Sequence, residues 1–351
     1  MYKPKIITLF SGVGMQELGF DKANLDYELI NYCEFEPKPG KAFSLFHNVS
    51  EDLNLGDITK IDENEYYNQL IDKNIDIIIS SFPCQSFSNQ GKRKGFEDET
   101  KGTLFFDTMR IVNKIKPKVL IFENVKGITN HDKGNTLKVI EETVKNSGYS
   151  IDWEILNSIN YDIPQNRERW FAVCFREDLY KAKFDFSSGE KTTKSVSEFL
   201  DDNVEDRKVL YSMVNILKDL NNGKERKKYR SNVGIKKIYD GVAEGDFSSS
   251  YAPHRVYSIF GNTPTFTRSN DAHFLELEGR LTPKERMRLM GVEDKHTDKL
   301  INDDYFSDRD IDLIAGNGLV VDVFESVIKD IYYYMSWYGQ DGQDDEDDFW
   351  N

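Results

Sequence analysis

The chain predicts an α/β fold, a doubly wound and mostly parallel sheet accompanied by a second, smaller domain. Three observations carry that expectation. Over the first half, short apolar runs alternate with stretches of helical spacing, the pattern of successive βα units. After Phe175 the alternation stops, and residues from about 181 to 260 are polar, weakly periodic and rich in Lys, Asp, Asn, Ser and Gly. Order returns at Arg280-Leu281-Thr282-Pro283, where Thr282 suits an N-cap and Pro283 a first helical position.

The elements follow in order. Lys5–Phe10 is the first strand, and Gln16–Ala23 the first helix. Glu28–Cys33 is the next strand and Lys41–Phe46 the next helical stretch. Ile75–Ser80 is an apolar run closed by a turn at Pro83, as expected of a strand buried on both faces. Leu104–Ile115 and Thr136–Asn146 carry helical spacing, and Lys118–Phe122, Ile151–Leu156 and Arg169–Phe175 complete the strands. The last element, Leu319–Tyr334, is a helix with Val320, Val323, Phe324, Val327 and Ile331 on one face. This organisation places one domain at 1–180 plus 305–340, a smaller one at 181–285, a hinge at 286–304 and an acidic tail at 341–351.

Hydrophobic residues make up 38% of the 351, and mean hydropathy is −0.60. No apolar run approaches the length of a bilayer span, and the N-terminus enters a strand with no apolar leader. The expectation is a cytoplasmic protein with no membrane partner. Three cysteines, Cys33, Cys84 and Cys174, are an odd number without metal-type spacing. They suit a reduced thiol protein and suggest no metal site. The net charge of −15, from 46 basic and 61 acidic residues, is awkward for a nucleic-acid binder, but local distribution matters more. Part of the excess lies in a tail bearing Asp341, Asp344, Asp345, Glu346, Asp347 and Asp348. Conversely, Lys224, Arg226, Lys227, Lys228, Arg230, Lys236 and Lys237 crowd into one stretch, which by itself reads as a solvated loop.

The residues with chemistry fall at strand ends. Ser81-Phe82-Pro83-Cys84-Gln85-Ser86-Phe87-Ser88 puts a cysteine just past the Ile75–Ser80 strand, and open α/β sheets bind ligands beyond the carboxyl ends of their strands. Lys5–Phe10 leads into Ser11-Gly12-Val13-Gly14, a glycine turn at a helix start that lacks the dinucleotide spacing. Glu34 ends the next strand, where an acid takes ribose hydroxyls, and Asp57 lies in Gly56-Asp57-Ile58-Thr59, suited to accept from an adenine amino group. Together they point to an adenosine cofactor without a pyrophosphate. Ile121-Phe122-Glu123-Asn124-Val125 sets a glutamate at another strand end, with a helix-capping acid as the plain alternative. Arg167 and Arg169, two apart in Pro164–Arg169, would share one strand face away from Glu168. Ala315-Gly316-Asn317-Gly318 precedes the last helix, and by itself reads as a turn.

The ordered set resembles the C5-cytosine DNA methyltransferases. The segments ITLFSGVG, GDIT, SFPCQSFSNQGKRKGFED followed by GTLFFD, ENV, PQNRERW, RLTPKERMRLMG and AGNGLVV stand in that family's usual order and cover most of 5–176 and 280–330. The resemblance implies a Rossmann-like sheet with a target-recognition domain, S-adenosylmethionine as cofactor with S-adenosylhomocysteine as product, and carbon-5 of a flipped-out cytosine in double-stranded DNA as target. Phe10, Ser11, Gly12, Gly14, Glu34, Asp57, Ile58 and Asn317 match cofactor positions. Cys84 is the implied nucleophile and Glu123 the group that protonates ring nitrogen 3. Arg169 holds the cytosine carbonyl, and Arg167 supports the catalytic loop or the base. Ser88, Gln90, Lys92, Arg93 and Lys94 fall in the family's mobile DNA-closing loop, with Gly91 and Gly95 to permit its movement. Lys227, Lys228, Arg230 and Thr265 become DNA contacts of the target-recognition domain, whose most recognisable motif Thr263–Thr267 resembles. Met15 stands where many members carry glycine, and Gly318 where serine is common. Cys33 and Cys174 are packing residues. The resemblance suits a monomer from a prokaryotic cell or phage and leaves open a cognate restriction endonuclease acting separately. Two other readings stay open: a tRNA cytosine methyltransferase, since a tRNA-modifying branch shares these motifs, and a catalytically silent DNA-binding regulator.

Overall fold

The computed structural model describes residues 3–63, 69–83, 104–202, 204–205, 207–209, 213–223, 237–240, 255–267 and 272–338. The chain divides into two compact units, one formed by residues 1–156, 168–187 and 325–351, the other by 157–167 and 188–324.

The first unit is built on a six-stranded sheet. Its strands are β1 (Lys5–Leu9), β2 (Glu28–Cys33), β3 (Ile77–Ser80), β4 (Val119–Val125), β5 (Asp152–Asn157) and, after the two-residue β6 (Gln165–Asn166) of the other unit, β7 (Glu168–Phe175). The order across the sheet is β2-β1-β3-β4-β7-β5. β1 pairs in parallel with β2 and β3, and β3 in parallel with β4, whereas β7 runs antiparallel to β4. The four parallel strands are therefore doubly wound, with the order reversing beside β1, where such sheets bind ligands. Helices α1 (Met15–Ala23), α2 (Pro37–His47), α3 (Leu104–Ile115) and α4 (Asn135–Asn146) alternate with them. Their apolar stripes are what the sequence spacing requires. On α3, Phe105, Met109 and Val112 recur at intervals of four and three and are buried with Ile78, Leu120, Phe122 and Trp170 in one core.

The second unit is made of shorter pieces: β8 (Lys237–Asp240), β9 (Arg255–Tyr257), β10 (Thr263–Pro264), β11 (His273–Phe274) and β12 (Gly279–Arg280). Four of these form a sheet in the order β12-β11-β9-β8, while β10 pairs in parallel with β6. Helix α5 (Val214–Asn221) contributes Leu217 to a small apolar cluster with Met213 and Val256. The segment expected to be a hinge, 286–304, holds the end of α6 (Pro283–Arg288) and the whole of α7 (Asp294–Ile301), and α8 (Asp308–Asn317) follows. Thr282 caps α6 as its chemistry predicts: its hydroxyl accepts from the Glu285 amide at 3.2 Å, while Glu285 accepts from the Thr282 amide at 2.8 Å. Helix α9 (Val321–Tyr338) closes the described chain, with Val323, Phe324, Val327 and Ile331 buried along it. Among the described residues no helix is long and apolar enough to cross a membrane.

Candidate active site

The expected residues of the first unit collect at the carboxyl edge of its parallel strands. β1 runs into Phe10, whose φ of 56° is left-handed, an uncommon state for a bulky side chain and one that clusters at functional turns. Ser11 ties this turn to β2: its amide donates to the Cys33 carbonyl at 3.1 Å, and its hydroxyl accepts from the Cys33 amide at 3.2 Å. The two glycines that follow differ in kind. A Cβ on Gly14 would stand 2.2 Å from the His47 ring nitrogen, so packing against α2 requires that glycine. A Cβ on Gly12 would meet nothing within 4 Å, and neither would one on Gly56. Both have positive φ and present bare backbone to open space, the form a turn takes where a ligand approaches the main chain.

Glu34 lies just past β2 and is held there by the chain itself. One carboxylate oxygen accepts the Gly12 amide at 2.9 Å and the other the Glu36 amide at 2.8 Å. Burial raises its pKa against the pull of these amides. Phe35, next in the chain, is 70% exposed. Sequence reasoning missed it, although an aromatic directly after an acid at a strand end was a readable signal. Asp57 is half-buried, and hydrogen bonds from the Thr59 hydroxyl (2.7 Å) and amide (3.0 Å) to one oxygen hold its carboxyl below the usual range. The Ile58 side chain is buried in the core and its carbonyl accepts from Arg110 at 2.9 Å, so any contact it makes with a ligand is through backbone.

Cys84 lies outside the described residues, as do Ser88, Gln90, Lys92, Arg93 and Lys94. Its approach is described. Ser81 extends the pairing of β3, donating its amide to Leu9 at 3.2 Å, and the Phe82 carbonyl accepts the Asn124 side-chain amide at 2.6 Å. Asn124 is thus a positioning residue that attention to Glu123 had passed over. Alternation along β4 turns the two to opposite faces. The other thiols are poor nucleophiles. Cys33 donates to the Gly56 carbonyl at 3.1 Å and burial pushes it up to about 12, while Cys174 is fully buried and burial raises its pKa well above the usual thiol range.

Register explains the meeting of Glu123 and Arg169. Val125 pairs with Arg169 across the antiparallel β4–β7 ladder, and Glu123, two residues back, shares that face. The Arg169 Nε stands 3.2 Å from a Glu123 oxygen, and the two side chains remain 14% and 12% exposed. Burial lowers the Arg169 pKa, and Glu123 opposes that shift. Glu168 turns elsewhere and pairs with Lys126 at 2.8 Å.

Arg167 does not share a face with Arg169. It falls between β6 and β7, is 1% exposed, and spends its guanidinium on backbone carbonyls of the second unit: Phe266 at 2.7 Å, Gly316 at 2.9 Å, and Gly318. Thr265, expected against DNA, donates its hydroxyl to the Asn166 carbonyl, and the Phe266 amide donates to the Gln165 side chain at 3.2 Å. Arg167 and Thr265 are therefore positioning residues that tie residues 164–167 to 263–266. The Ala315–Gly318 stretch, read as a loop turn, instead closes α8, and its carbonyls serve Arg167. Asn317 is the exposed last residue of α8. Lys227, Lys228 and Arg230 lie outside the described residues.

A sequence profile of the C-5 cytosine-specific DNA methylases matches residues 4–333. The chain belongs to that family. The orphan methyltransferase M.SPRI of Bacillus phage SPR is 45% identical over 181 residues, which are 52% of this chain but only 40% of the phage protein. The type II methyltransferase M.HhaI of Haemophilus parahaemolyticus is 32% identical over 301 residues, covering 83% of this chain and 85% of its own. Among solved structures, the fold is similar to that of the Dnmt2 methyltransferase of S. pombe, with a TM-score of 0.66 at 16% identity over 93% of this chain and 97% of that one.

Proposed function

We propose that the protein transfers a methyl group from S-adenosylmethionine to carbon-5 of a cytosine in double-stranded DNA. Family membership together with the Glu123–Arg169 pair at the strand edge leading to Cys84 carries this reading. The open backbone at Gly12 and Gly56, the fixed Glu34 carboxylate, Asp57 and exposed Phe35 fit an adenosine group: acids for ribose and base, an apolar ring beside them, and bare main chain for close approach. Phe10, Ser11 and Asn317 complete the set by resemblance. When bound, the cofactor supplies an electrophilic methyl group.

The protein's own residues supply the rest. Carbon-5 of cytosine is a weak nucleophile. Addition of the Cys84 thiolate to carbon-6 makes the ring an enamine with electron density at carbon-5. Ring nitrogen 3 gains charge as sulfur adds, and Glu123, as the acid, hydrogen-bonds and protonates it. Arg169 keeps Glu123 oriented and holds the cytosine carbonyl. After transfer, a base or water takes the carbon-5 proton, the carbon–sulfur bond breaks, and the thiolate is restored. A cytosine inside a duplex is out of reach, so the base must leave the stack. The loop at 88–98 and the basic residues Lys227, Lys228 and Arg230 then serve as backbone contacts.

The enzyme acts as a monomer in the cytoplasm, with any cognate endonuclease a separate protein. Transfer of labelled methyl to duplex DNA and not to tRNA is the expected result. Transfer to tRNA alone would reassign the substrate, and transfer to neither would leave a silent DNA binder.

A further inference from the structure

The first turn of α1 carries two buried polar side chains immediately after the glycine turn. Glu17 accepts the Thr8 hydroxyl at 2.7 Å, and Thr8 in turn lies 2.9 Å from the Ser11 hydroxyl, so this arm serves the cofactor turn itself. Gln16 points the other way. Its amide nitrogen donates to the Ser81 hydroxyl at 3.0 Å, and the residue is 3% exposed. A core position of this kind ordinarily holds an apolar residue, because a buried amide is costly unless it is hydrogen-bonded. Here its partner is the residue three places before Cys84.

The approach to Cys84 is thus gripped by two side-chain amides. Asn124 holds the Phe82 carbonyl from β4, where it neighbours Glu123, and Gln16 holds Ser81 from α1, two residues after Gly14. Each grip issues from a residue next to a group of the reaction. α1 starts directly at the cofactor turn, so a shift of that turn moves Gln16 with it.

We propose that Gln16 is a positioning residue that, by holding Ser81, keeps the end of β3, three residues before Cys84, in register with the cofactor turn. The proposal rests on the methyltransferase reading. Its consequence is that loss of the Gln16–Ser81 bond slows the chemical step more than it weakens cofactor binding, since small misplacements of a nucleophile are expensive in rate.

The test uses the full chain as wild type, Gln16→Leu, Ser81→Ala and the double variant, with kcat and the KM for S-adenosylmethionine measured on duplex DNA and folding checked by thermal melting. Expected is a fall in kcat of about tenfold in each single variant, a KM within threefold of wild type, and no further loss in the double variant. Ser81→Ala removes one oxygen outside the helix and keeps the test alive if Gln16→Leu melts early. A kcat within twofold of wild type, or single losses that multiply in the double variant, would overturn the inference. An inactive wild type would instead refute the methyltransferase reading on which it stands.

Discussion

Two glutamate–arginine pairs, one in each unit, use the same chemistry for different ends. In the second unit, Glu285 is wholly buried and takes two bonds from Arg207 at 2.6 and 2.7 Å, plus the amides of Asp201 and Thr282. Burial pushes its pKa up, but Arg207 and the two amides outweigh that and bring it below the usual carboxylate range. In the first unit, Glu123 meets Arg169 at 3.2 Å at a strand end where both side chains keep an edge to solvent. A saturated pair has nothing left to offer and serves as scaffold. A pair with an accessible edge can receive a substrate.

Substitution should separate the two. Glu123→Gln keeps size and polarity, so it should slow methyl transfer by roughly 10²–10⁴-fold with little change in melting temperature; a loss under threefold would remove Glu123 from the chemistry. Glu285→Ala strands a buried guanidinium and uncaps α6, and should cost about 3–5 kcal/mol of stability, read by denaturant unfolding. If its melting temperature stayed near wild type while activity fell, the contrast between the pairs would collapse.

Glu17 sharpens the comparison as a carboxyl buried on a hydroxyl instead of an arginine. Burial raises its pKa from 4.5 to about 7, with Thr8 opposing and Asp21 adding to the rise. The folded state therefore holds this proton more tightly than the unfolded chain. The stability it contributes is full below about 4.5 and is lost as pH rises through about 7. Glu17→Gln should flatten stability against pH across that window and gain up to roughly 3 kcal/mol at pH 8. An unchanged pH–stability curve would contradict the assignment.

The glycines give the smallest and cleanest contrast. Gly12→Ala and Gly14→Ala both place a side chain at positive φ, costing roughly 1–2 kcal/mol each, but only the second drives a methyl into His47. Gly14→Ala should melt earlier, whereas Gly12→Ala should raise the KM for S-adenosylmethionine with the smaller loss of stability. Reversed outcomes would exchange their roles.

How much of this was legible in the sequence follows from element length. The strands of the first unit run four to eight residues, long enough for an apolar run to declare itself, and β2 and α3 fall where their spacing put them. In the second unit the described strands within residues 181–260, β8 and β9, are four and three residues with no unbroken apolar run, so that stretch read as featureless. The strand-end acids Glu34 and Glu123 were legible because a charge after an apolar run is conspicuous. Arg167 was expected on one face with Arg169 because a motif gives the residue type and not the direction of the side chain. Only the register with β10 and the end of α8 reveals that Arg167 faces inward. Gln16 and Asn124 escaped notice because a neutral amide in a helix or strand leaves no mark on hydropathy.

The central claim is covalent attack by Cys84, and one measurement meets it directly. Incubated with S-adenosylmethionine and a cognate duplex carrying 5-fluorocytosine at the target, the protein should form a complex that survives denaturation and maps to Cys84, because fluorine at carbon-5 blocks the final elimination. Folded, DNA-binding protein that methylates ordinary duplex yet never forms that complex, or forms it through another residue, would contradict the account.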